Sequence, residues 1–222
     1  MQYPFSLTPR ALAAVEATLS EARLARFLPE AKGDKHLAIR LYVWNARLCE
    51  AFYLPTQFAE VAIRNAVHRP VLKRFGAAWC ESKAFVSILP DRMRDELTKL
   101  VADEKRQRRH RFTLDHVVAG LSFGFWLNLM TQAYAKHLWA IGLRWSYPNL
   151  LKEIDQQALY NRLDQLRRFR NKIAHHYAIF DRKPRTEMQN TLDIIGWTCS
   201  DTRWLAGELA NVERVLSRKP IL

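Results

Sequence analysis

An all-α fold is predicted by three features of this chain. Gly and Pro are scarce, at 7 and 9 of 222 residues, whereas sheet-rich folds consume turn residues. Apolar positions recur every three or four residues through most of the length, the period of a half-buried helix. Residues suited to cap a helix stand ahead of these stripes. The composition, 49% apolar and 26% charged, suits a folded protein with a sizeable core. No internal repeat, low-complexity linker or composition shift divides the chain, so residues 1–222 read as a single all-α domain.

The elements follow in order. Thr8 as N-cap and Pro9 at the first helical position open a helix that Pro29 ends near Leu28. Asp34 caps the next, where Leu37, Leu41, Trp44, Leu48 and Ala51 form one stripe to about Tyr53. Pro55-Thr56 should break it, with Thr56 capping a further helix from Gln57 to about Phe75. In that helix Phe58, Val61, Ala62, Ala66 and Val71 face inward, and Pro70 starts or kinks a late turn. Residues 76–90 read as a loop with a short ordered piece from Trp79 to Leu89. Asp91 caps a helix reaching about Arg106, and Thr113 and Asp115 start another that runs to about Leu138. After Pro148-Asn149, a long stripe holds Leu159, Leu163, Leu166, Ile173 and Tyr177. A final helix from about Glu187 to Leu216 carries Leu192, Ile195, Trp204, Leu205 and Leu209.

Charge and cysteine usage narrow the function classes. Lys plus Arg number 35 against 22 Asp plus Glu, a net +13. Such a field attracts polyanions and supplies sequence-independent affinity for nucleic acid. The three cysteines, Cys49, Cys80 and Cys199, are odd in number and far apart, without Cys-x-x-Cys or His-Glu-x-x-His spacing. Neither a zinc site nor a disulfide framework is expected, and no metal or cofactor. Three reduced thiols fit a cytoplasmic protein. Met1–Phe5 lacks the basic-then-apolar layout of a signal peptide, and the most apolar stretch, Leu121 to Met130, is too short to span a membrane.

Two basic segments stand out. Lys105, Arg106, Arg108, Arg109 and Arg111 put five cations within seven residues, more than a helix dipole needs, and point to phosphate or another acidic surface. The second is Arg167-Arg168-Phe169-Arg170-Asn171-Lys172-Ile173-Ala174-His175-His176. Arg-x-x-x-x-His alone is a weak pattern, and Arg111 with His116 matches it too. The Arg111 match straddles a helix boundary. Arg170 instead falls in the gap between Leu166 and Ile173, in register with the apolar seam, where a guanidinium needs a partner or a cleft. Asn171 and His175 are i, i+4 and share a helix face. A guanidinium, an amide and an imidazole suffice for metal-free RNA cleavage. The 2′-hydroxyl is the nucleophile, histidine moves the proton, and arginine holds the charge on the phosphate oxygens. A purely structural alternative fits the same spacing: Arg170 pairs with a buried acid and His175 caps the helix C-terminus.

The run from Leu166 to His176 resembles the signature of HEPN domains. Together with Tyr42-Val43-Trp44-Asn45, Glu60 to Ala66 and Phe123-Gly124-Phe125-Trp126, it resembles the Abi-like (abortive infection, AbiD/AbiF-type) bacterial family. The resemblance covers about residues 35–180. It implies a HEPN-like helical bundle with additional helices, a homodimer, and a ribonuclease site where the motifs of two protomers face each other. Arg170, Asn171 and His175 would be catalytic. Arg167, Arg168, Lys172 and His176 would join the 105–111 cations in holding RNA. An antitoxin or a phage-derived activator is a further partner class such a role implies. A non-catalytic RNA-binding or protein-interaction module, or a basic face for an acidic protein, fits the same residues.

Overall fold

The computed structural model describes residues 5–140 and 142–221; Met1–Pro4, within the segment read for a signal peptide, lie outside them. The described residues are all-helical, with no strand among them. The helices are α1 (Pro9–Leu19), α2 (Glu21–Leu24), α3 (Lys35–Phe75), α4 (Lys83–Val86), α5 (Asp91–Arg108), α6 (Leu114–Gly120), α7 (Phe123–Asn128), α8 (Ala135–Leu138), α9 (Gln156–Ala174), α10 (Pro184–Thr198), α11 (Ser200–Leu209) and α12 (Val212–Leu216). Single 3₁₀ turns lie at Trp79–Glu81, Arg109–Arg111, Gln132–Tyr134 and Leu143–Trp145. Among the described residues no helix is long and apolar enough to cross a membrane.

The first caps form as expected. Thr8 Oγ1 accepts from Ala11 N–H at 3.2 Å, and Asp34 Oδ1 accepts from His36 and Leu37 N–H at 2.8 and 3.1 Å. The expected break at Pro55-Thr56 does not occur; α3 runs unbroken for 41 residues through Pro55 and Pro70. A proline inside a helix costs about 3 kcal/mol. Here both prolines lie on a continuous buried stripe with Leu48, Phe52, Ala59, Ile63, Val67 and Val71. Each large side chain buried there returns roughly 1.5–3 kcal/mol. Thr56 is no N-cap: its hydroxyl donates back to Phe52 O at 2.7 Å and Tyr53 O at 3.0 Å, serving carbonyls of the turn before it.

Three other expected helices are divided. The 8–28 helix is interrupted at Ser20, which takes a left-handed φ of 73°. The 113–138 helix breaks after α6 because Ser122 starts a new one. Its N–H donates to Glu96 at 2.9 Å and its Oγ accepts from Phe125 N–H at 3.1 Å. The 187–216 helix is split into α10, α11 and α12; Thr198 turns its hydroxyl onto Ile195 O at 2.8 Å where α10 ends. Val61, expected inward, is exposed, as are Tyr177 and three apolar residues of the expected final helix, Trp204, Leu205 and Leu209. Each lies in a helix or turn whose phase relative to the core was set by a break or join not visible in the periodicity.

The chain groups into two compact units. The first comprises Met1–Gln57, Arg168–Leu192 and Leu205–Leu222. Its core packs Phe27, Leu41 and Trp44 with Phe180, and Leu48, Phe52, Phe169 and Ile179 with Val212. The rings of Phe52 and Phe169 meet edge-on at 4.9 Å. Trp44 Nε1 donates to Val215 O at 2.8 Å, tying α12 to α3.

The second unit comprises Phe58–Arg167 and Asp193–Trp204. Its core includes the fully buried Trp79, Trp126, Phe85, Phe125, Leu97, Leu129 and Tyr147. α5 and α6 approach closely at Gly120, where a Cβ would stand 2.9 Å from a Leu100 methyl. His68 lies between two indoles, its ring 5.4 Å from Trp79 and 5.8 Å from Trp126. Among the described residues, His68 Nε2 and both indole Nε1 atoms are buried without a hydrogen-bond partner.

Burial holds the His68 pKa below its ordinary 6.5, with nearby Arg64 adding to the shift and Asp115 opposing it. The unfolded chain therefore binds a proton on His68 as pH falls through about 6.5, while the folded chain does not. Stability is full above that pH and declines below it, until the folded pKa is passed. Thermal melts at pH 7.5 and 5.5 are expected to show this loss in wild type and a smaller one in His68→Gln.

Candidate functional site

The site is built on the last turn of α9. Asp155 caps the start of this helix, its Oδ1 accepting from Ala158 N–H at 2.7 Å. The buried seam then runs Leu159, Leu163, Leu166 and Phe169, with Ile173 half-buried. Phe169, not Arg170, fills the seam position after Leu166, which corrects the sequence register by one residue. The reason is the Phe52 ring opposite it, invisible to a one-helix pattern. Arg170 is displaced to the flank, half-buried, with Nη1 3.5 Å from Asn171 Oδ1.

The helix ends in a Schellman turn. His176 takes the left-handed conformation, φ 60°, usually reserved for glycine. Its N–H donates to Ile173 O at 3.0 Å, and Tyr177 N–H donates to Lys172 O at 2.9 Å. Lys172 Nζ stands 5.8 Å from the Tyr177 ring centroid, so the usual contact between these two positions is here a cation–π one. His175 is the C-cap; its N–H donates to Asn171 O at 2.9 Å, and its side chain is exposed. The capping alternative is thus realised by the backbone of His175, while its imidazole remains open to solvent.

The turn is fastened from α3. Asn45, 4% exposed, accepts Ile179 N–H on Oδ1 at 2.8 Å, and its Nδ2 lies 3.4 Å from Tyr177 O. Arg23 Nη1 donates to His176 O at 3.0 Å. The Cys49 thiol lies 3.9 Å from Tyr177 O, and burial pushes its pKa up to about 11. It stays a thiol at neutral pH. Sequence reasoning placed Asn45 in a block but gave it no role. The available signal was an amide one residue past Trp44 in a stripe that is otherwise buried and apolar. Asn45→Leu leaves Ile179 N–H unpaired in the core, a loss of about 1–3 kcal/mol. A urea melt of this variant should show a lower midpoint at unchanged slope.

The other candidates divide as follows. Arg168 is exposed and Lys172 half-buried on the last turns of α9. Arg167 is held by the largely buried Asp164, Nε at 2.8 Å and Nη2 at 2.7 Å. In the 105–111 run, Lys105 pairs with Glu81 at 2.7 Å, Arg106 with Asp103 at 2.6 Å, and Arg108 with Glu104. Arg109 and Arg111, in the 3₁₀ turn, form no ion pair among the described residues. Surface pairs of this kind are worth at most about 1 kcal/mol, so phosphate could displace them. The competing Arg111/His116 match is a helix start: His116 Nδ1 accepts Thr113 N–H at 3.0 Å in a capping box. Among the described residues no three His, Cys, Asp or Glu side chains gather where they could hold a metal ion. The three cysteines are unpaired.

Comparison with models of protein families, with curated proteins and with solved structures gave no match.

Proposed function

We propose that this chain is a metal-independent endoribonuclease of the HEPN type, an Abi-like protein of bacterial phage defence or toxin action that works as a homodimer. The observation that carries the reading is the end of α9: an exposed His175 imidazole on a pinned turn, one helical turn beyond an Arg170–Asn171 contact. His175 takes the proton from a ribose 2′-hydroxyl as it attacks the adjacent phosphorus. The 5′-oxygen leaves with a proton supplied by the second copy of His175 across a two-fold axis. Arg170 lies against the phosphorane oxygens, where a planar, permanently charged donor is worth most. Asn171 orients Arg170 through its side-chain oxygen. Arg168 and Lys172 hold the flanking backbone.

The test is RNA cleavage by the purified full chain in EDTA, with end-group analysis. Fragments should carry 2′,3′-cyclic phosphate and 5′-hydroxyl ends. Products with 3′-hydroxyl ends, or activity that appears only with Mg²⁺, would remove this mechanism.

A further inference from the structure

The strongest unassigned surface lies in the second unit, at the C-terminal end of α3. From Val61 to Cys80, and again from His116 to Lys152, the sequence contains no Asp or Glu. The fold brings these two acid-free segments together. Lys73 Nζ stands 4.7 Å from the ring centroid of Trp145, a cation–π contact, and Arg69 precedes Lys73 by one turn of α3. Arg69, Lys73, Arg74 and Arg144 all reach the surface, and Trp145 is 45% exposed.

Among the described residues none of these four cations forms an ion pair, in contrast to Lys105, Arg106 and Arg108. The helix dipole favours Lys73 and Arg74 in the last turn of α3. It does not account for Arg69, a turn earlier, or for Arg144 on a separate 3₁₀ turn. Arg69 and Lys73, at i, i+4, repel each other on one helix face. Four cations without an ion pair, one of them held over a half-exposed indole by a cation–π contact, are what a single strand of nucleic acid requires: phosphate contacts flanking a stacking platform.

We infer that Arg69, Lys73, Arg74, Arg144 and Trp145 form a docking surface for single-stranded nucleic acid. The backbone phosphates lie on the four cations, and a base stacks on the indole of Trp145. An acidic protein would satisfy the charges but has no use for the ring. The inference does not depend on whether His175 is catalytic, because it concerns binding alone.

The test uses the full chain carrying His175→Ala, so that bound RNA is not consumed. Anisotropy of a labelled oligouridylate is followed across a salt series. Replacing all four cations by Gln should weaken binding at least roughly tenfold and lower the log–log salt slope by about 0.7 for each phosphate left without its cation. Trp145→Ala should weaken binding roughly tenfold with little change of slope, and Trp145→Tyr should recover most of that loss. Circular dichroism melts confirm that the variants fold. Wild-type affinity and slope in the folded fourfold variant would overturn the inference. So would a greater loss in the Lys105→Gln/Arg106→Gln/Arg108→Gln triple variant than in the fourfold one. Displacement of the RNA by charge-matched polyglutamate, with Trp145→Ala neutral, would reassign the surface to an acidic protein and overturn it as well. Failure of cleavage in wild type would leave all of these readouts intact.

Discussion

His175→Ala is expected to slow RNA cleavage by roughly 10²–10⁴-fold, the span that a general acid or base contributes. The imidazole is exposed at the C-cap of α9, and what holds the turn is backbone: the N–H of His175 on Asn171 O, and those of His176 and Tyr177 on Ile173 O and Lys172 O. Alanine keeps every one of those bonds. The variant should therefore fold, melt and bind RNA like wild type while losing catalysis. Single-turnover cleavage beside binding anisotropy separates the two effects. An unchanged cleavage rate would move the protein to the binding-module class. A lost fold would mean that the imidazole has a structural partner the turn geometry does not need.

Phe169→Ala should destabilise the first unit by about 3–5 kcal/mol. Phe169 is 4% exposed and meets Phe52 edge-on, so alanine leaves a cavity between α3 and the end of α9. For a chain of this length that lowers Tm by roughly 10 °C. Arg170→Lys should do the reverse. It keeps the charge but removes the planar fork, so it lowers the cleavage rate and leaves Tm nearly unchanged. Calorimetry and cleavage on this adjacent pair test the register directly. If Arg170 occupied the seam and Phe169 its flank, the two outcomes would exchange.

That pair also shows how far the chain was legible. The spacing of Leu159, Leu163 and Leu166 alone defines a seam, and all three are buried. Spacing does not define the next position, because 169 and 170 are both within reach of a 3.6-residue period and only the partner ring chooses between them. The motif residues end up on one helix end, as their spacing requires. Asn45, which pins the turn carrying them, lies 130 residues upstream of His175, and no local pattern links the two. Arg167 read as one more phosphate contact, but Asp164, three residues before it, holds it. That pairing was visible in the sequence as an i, i+3 spacing.

By itself the sequence determined the helical class, the caps at Thr8 and Asp34, the start of α6 at Thr113, and the clustering of Arg170, Asn171 and His175 at one helix end. These depend on interactions within a few residues along the chain, which composition and spacing expose directly. Only the tertiary structure decided that α3 continues through two prolines, that the segments after Leu19, Gly120 and Thr198 restart as new helices, and that Trp204, Leu205 and Leu209 face solvent. A cap or a helix-breaking residue acts with about 1–3 kcal/mol. In α3 the burial of a stripe of large side chains against distant segments sums to more than that, and burial prevails over both prolines; at Ser122 the local cap prevails and ends the helix.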